Sequence, residues 1–229
     1  MPSDLDRELA DLLRRRVQAA EPDDPGALRR LLGEVADPAL VLRVRREAEA
    51  AARPIQALNL WGGRNPLRTL DLARARFGAA APLRAFAKAE EALAAARSPG
   101  AVSVLALEPG ALWWGRMLAE PALQAFAALP ETGPSAAPLA LAVAAVETEP
   151  SGSDDTFWVT DAPEPAARIA EALGREGLAA EPLLAGGGLK LFALAGYVQR
   201  QDERLSRAPG RLAGVIGSAP TPFDFRDSR

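Results

Sequence analysis

The sequence predicts an α+β chain of several modules: N-terminal all-α helices, a small parallel α/β lobe, and a C-terminal β-α-β-β-α-β module of ferredoxin-like order. Three observations predict it. Apolar residues recur at helical spacing through the first 56 positions. Short apolar runs then alternate with helical patterns as far as residue 129. From residue 139 two strands precede a helix, followed by two strands, a short helix and a last strand.

Residues 4–20 form the first predicted helix, with Leu5, Leu9, Leu12, Leu13 and Val17 on one face and Ser3 as its cap. Pro22 to Gly26 form a turn, and a second helix follows over 27–35. A third runs over 37–56, with Pro38 in its first turn, and its many charges mark it as an exposed or interface helix. The run ALNLWG then reads as a strand ending in Gly62 and Gly63, followed by a helix over 66–77 closed by Gly78. Residues 82–87 read as a strand, 88–97 as a helix and 101–109 as a strand, completing a parallel lobe. Trp113 and Trp114 start a short helix, 123–129 returns as a strand, and 130–138 reads as a linker.

In the last module 139–147 and 156–161 are strands around the loop EPSGSDD, and a helix spans 163–174. The segment LAAEPLLA, the strand 189–198, a short helix at 202–207 and the apolar LAGVIGSA complete it. The predicted division is 1–57, 58–133, 136–219 and a tail at 220–229.

Composition excludes much chemistry. The 229 residues contain no histidine and no cysteine, which excludes a His/Cys metal site, a Ser-His-Asp or Cys-His nucleophile and a disulfide. The net charge of −3 argues against nucleic acid as a partner. No apolar run approaches a membrane span, so a cytoplasmic protein without a membrane partner, metal or cofactor is expected. Gly62, Gly63, Arg64 and Asn65 before a helix offer a possible anion site, although two glycines in such a turn are common. Ser151, Asp154 and Asp155 read as an ordinary turn rather than a metal site, and Trp113 and Trp114 as core.

The order of modules resembles a known family. LDRELADLLRRR is similar to the ID-x-x-LL-x-LL-x-R-R hallmark of the all-α chorismate mutase domain. ALNLWGGRNPLRTLDLARARFG and AVSVLALEP resemble the opening and the Gly-Val-Val-Pro-Ile-Glu strand of prephenate dehydratase. The segment with SGSDDTFWV resembles an ACT domain. The resemblance implies a protein of aromatic amino-acid biosynthesis that rearranges chorismate to prephenate by electrostatic stabilisation, with no cofactor. It places Arg16, ten residues after Asp6, on a substrate carboxylate and Gln56 on the ether oxygen as the catalytic pair. Arg15, Arg45, Arg46, Glu49 and Arg53 are the candidate substrate-binding residues, some reaching in from the second subunit of a homodimer joined through the N-terminal helices. The dehydratase Thr-Arg-Phe motif is replaced by Ala137, Pro138 and Leu139, so dehydratase activity is not expected. The alternative is a non-catalytic dimeric regulatory or ligand-binding relative, taking chorismate, prephenate or an amino-acid effector.

Overall fold

The computed structural model describes residues 54–133 and 137–223, together with Leu42 and Arg46, both in helical conformation. In chain order its elements are β1 (Ala57–Trp61), α1 (Pro66–Phe77), β2 (Leu83–Ala85), α2 (Ala89–Ala95), β3 (Ala101–Ala106) and α3 (Trp113–Arg116). A single 3-10 turn (Met117–Ala119) leads into β4 (Gln124–Leu129) and β5 (Ala140–Ala144). Then come β6 (Asp154–Thr160), α4 (Ala166–Arg175), β7 (Ala180–Gly186), β8 (Leu189–Ala195), a 3-10 turn (Glu203–Arg207) and β9 (Ala213–Pro220).

These elements overturn the predicted fold class. All nine strands join one mixed sheet, in the order β2-β1-β3-β5-β4-β9-β6-β8-β7, with four α-helices among the described residues. The described residues form a sheet-rich mixed α/β fold, not helices followed by a small lobe and a separate module. The predicted helices over 4–20 and 27–35, and most of 37–56, lie outside the described residues.

Two physical features merge what was expected to be separate. β5 pairs antiparallel with both β3 and β4, so residues 130–138 connect neighbouring strands of one sheet. β4 then runs parallel to β9 through Ala125 and Gly217. That approach is very close. Gly217 has φ +147°, and a Cβ there would lie 2.2 Å from the Ala125 carbonyl oxygen.

The cores explain why the halves do not separate. On one face α1 buries Ala73 and Phe77 against Leu58, Leu60, Val102 and Val104. On the other face α2 and α3 share a single core, in which Trp113, Trp114 and Met117 pack with Leu105 and Leu141 of the first half. Phe157, Val159, Leu191 and Ile216 of the second half belong to that same core. α4 covers the remaining face with Ile169 and Leu173 against Trp158, Phe192 and Leu194.

Local signals set the helix ends. The Asn65 side chain accepts the Arg68 N–H at 3.2 Å, Pro66 opens α1, and Arg74 and Arg76 occupy its last turn. Strand β3 is buried at all six positions, as expected for a central strand covered on both faces.

Candidate functional site: a cleft at the carboxyl edge of the parallel strands

β1 is flanked by β2 and β3, both parallel to it. The connection through α1 runs over one face and that through α2 over the other, so the strand order reverses between β1 and β3. In open α/β sheets the crevice beyond the carboxyl ends of such strands is where ligands bind. A cleft of about 760 Å³ lies there. Its apolar walls include Trp61 at the end of β1, Leu112 before α3, and Leu189 at the start of β8. Its charged groups are Lys88, Glu90, Glu108 and Arg116.

Glycines let these walls meet. A Cβ on Gly115 would lie 2.5 Å from Leu189 Cδ1, and one on Gly187 would lie 2.4 Å from Leu112 Cδ1. The β7–β8 turn therefore rests directly on α3, and both halves of the sheet contribute to the cleft.

Glu108, just beyond β3, lines the cleft and is anchored to the turn after β1. Its Oε1 accepts the Arg64 N–H at 2.6 Å. Gly63 has φ +56°, and a Cβ there would sit 2.3 Å from the Glu108 Cδ. The possible anion site in the Gly62-Gly63 turn is thus filled by the chain's own carboxylate. Arg116 Nε stands 3.8 Å from Glu90 Oε1, and Lys88 Nζ stands 3.7 Å from Glu91 Oε1. Those are loose pairs between exposed side chains, which hold little energy of their own.

Of the residues expected to bind substrate, Gln56 and Arg46 are described, and both lie away from the cleft. Gln56 is exposed just before β1. Its backbone N–H donates to the Gly100 carbonyl at 2.9 Å and its Nε2 donates to the Pro54 carbonyl at 3.3 Å. Gly100 precedes β3, so Gln56 marks the amino edge of the parallel strands, opposite the cleft. Arg46 Nη1 donates to the Ala75 carbonyl at 3.0 Å, in the last turn of α1. There it complements the negative end of that helix. Arg15, Arg16, Arg45, Glu49 and Arg53 lie outside the described residues.

Trp113 and Trp114 are core, as read from the sequence, and the Trp113 Nε1 donates to the Ala106 carbonyl at 2.9 Å. The turn before β6 is also as read. Asp154 accepts the Ser151 N–H at 2.8 Å and the Ser151 hydroxyl at 2.5 Å. The sequence reading missed Lys88, Glu90, Glu108 and Arg116. A signal for two of them was present, because Lys88 directly follows the strand read at 82–87 and Glu108 stands at the carboxyl end of that read at 101–109.

No family model and no curated protein matches the chain. Among solved structures it is similar to GqqA, described as a novel type of quorum quenching acylase, at 15% identity and a TM-score of 0.46. That alignment covers 72% of this chain and 95% of the other. It is also similar to prephenate dehydratase from Streptococcus mutans, at 11% identity and a TM-score of 0.43, covering 74% of this chain and 100% of the other. Among the described residues, no helix is long and apolar enough to cross a membrane.

Proposed function

We propose that this chain is a small-molecule-binding protein that holds its ligand in the cleft beyond β1 and β3. One observation carries the reading: at the point where the strand order reverses, apolar walls converge with charges of both signs. Both halves of the sheet form the walls, so a ligand there would bridge them. This is the ligand-binding alternative to the mutase reading, and the sequence resemblance supplies the compounds to try.

Titrating the full chain with chorismate, prephenate, phenylalanine and tyrosine tests it, read by intrinsic fluorescence with Trp61→Phe as the control. Saturable binding of at least one of them, which shifts Trp61 emission, raises the melting temperature and weakens in Arg116→Glu, is expected. Binding indifferent to both Arg116→Glu and Lys88→Glu would overturn the cleft as the site. Loss of chorismate absorbance on incubation, abolished by Arg16→Ala, would favour instead the chorismate mutase reading built on Arg16 and Gln56.

A further inference from the structure

The balance of charge in the cleft narrows what it would hold. Lys88 and Arg116 offer two cations, Glu90 and Glu108 two carboxylates. A dicarboxylate bound here would face Glu90 and Glu108, and a diamine would face Lys88 and Arg116, each at a repulsive cost. A ligand with one charge of each sign meets a partner for both.

The carboxylates differ in how firmly they are placed. Glu108 is held by the Arg64 N–H and by the space Gly63 leaves for it, so its carboxylate is more firmly placed than that of Glu90. Glu90 pairs with Arg116 at 3.8 Å, beyond hydrogen-bonding distance, so a ligand's charges can replace that contact without breaking a formed hydrogen bond. Trp61, Leu112 and Leu189 supply an apolar surface beside these charges.

From this arrangement, and resting on the cleft being the binding site, we infer that the ligand is a zwitterionic α-amino acid with an apolar side chain. Its ammonium group faces Glu108 and Glu90, its carboxylate faces Arg116 and Lys88, and its side chain lies against Trp61 and Leu189. Glu108 is then the residue that selects an ammonium group and rejects a second carboxylate.

The test is calorimetric titration of the full chain with three compounds of one carbon skeleton: L-leucine, 4-methylpentanoate without the ammonium, and 3-methylbutylamine without the carboxylate. Leucine is expected to bind at least about tenfold more tightly than either, from loss of one charge-assisted contact. Glu108→Gln keeps an acceptor for the Arg64 N–H and removes only the charge. It should weaken leucine about tenfold and leave 4-methylpentanoate no weaker. Arg116→Gln should show the converse, weakening leucine and 4-methylpentanoate but not 3-methylbutylamine. Equal binding of leucine and 4-methylpentanoate, with Arg116→Gln still effective, would overturn the zwitterion inference and leave the cleft reading standing. No binding by any of the three would also overturn it, and the wider ligand titration would then judge the cleft separately.

Discussion

At the scale of single residues, the most informative contact is between Gly63 and Glu108. A left-handed φ of +56° already favours glycine, and the carboxylate occupies the space a Cβ would need. Gly63→Ala should therefore destabilise the fold by about 2 kcal/mol, from backbone strain and overlap together. Glu108→Ala in the same chain should recover part of that loss, because one source of the clash is gone. The double variant should depart from additivity by roughly 1 kcal/mol in a denaturant cycle. Strict additivity would mean that the two residues do not share the space the structure assigns to them. The pair also shows why the anion-site reading of the glycine turn was incomplete. The turn does meet an anion, but one supplied by residue 108, 44 positions away.

Among the elements, the 3-10 turn Glu203–Arg207 leads into β9 and depends on charge for its start. Asp202 caps it, accepting the Arg204 N–H at 3.0 Å and the Arg204 guanidinium at 2.7 and 2.9 Å. The Arg204 guanidinium beside it holds the Asp202 carboxyl down to about 2, below its ordinary 3.8. A depressed carboxyl adds stability above its unfolded value and loses it as the pH falls through its folded one. The contribution of Asp202 is thus complete above about pH 4 and fades between about pH 4 and pH 2. Asp202→Asn should lower the melting temperature at pH 7 and flatten its decline across that window. An unchanged slope between pH 4 and 2 would show that the pair adds nothing. A neighbouring clasp works similarly. Asp161 accepts the Leu212 and Arg211 N–H groups at 2.9 and 2.7 Å, and these bonds hold its carboxyl below the ordinary range.

For the whole molecule, the seam between β4 and β9 decides whether the sheet is one body. Gly217→Ala would push a methyl group to within 2.2 Å of the Ala125 carbonyl, which belongs to backbone and has nowhere to turn. A loss of about 3 kcal/mol is expected from the strain and overpacking. For a chain of this size that is a fall of roughly 6–12 °C in melting temperature. Because the two halves share the core around Trp113, Trp114 and Met117, near-ultraviolet and far-ultraviolet circular dichroism should still report one coincident transition. Separate transitions in the parent protein would mean that the halves fold alone and merely touch at Gly217.

Much of the local structure was legible in the sequence, because helix and strand signals are local. Pro66 and Gly78 bracket α1 at the residues the sequence implied, and the helix read at 163–174 contains most of α4. The runs 101–109 and 189–198 likewise contain β3 and β8. What those strands pair with was decided only in three dimensions. β5 reads in sequence as the opening of the last module, yet its partners are β3 and β4. Nothing local distinguishes these outcomes, since an alanine- and leucine-rich strand fits any buried pairing. The same holds for the cleft. The residue types that line it stand in sequence at 61, 87–90, 108–112, 115–116 and 189, and only the reversal of strand order between β1 and β3, closed by the β7–β8 turn, brings them together. By itself the sequence determined the absence of histidine and cysteine chemistry and the sites of most described helices and strands. The tertiary structure decided the single sheet, the shared core and the charge balance of the cleft, because each is a sum of contacts between residues far apart in the chain.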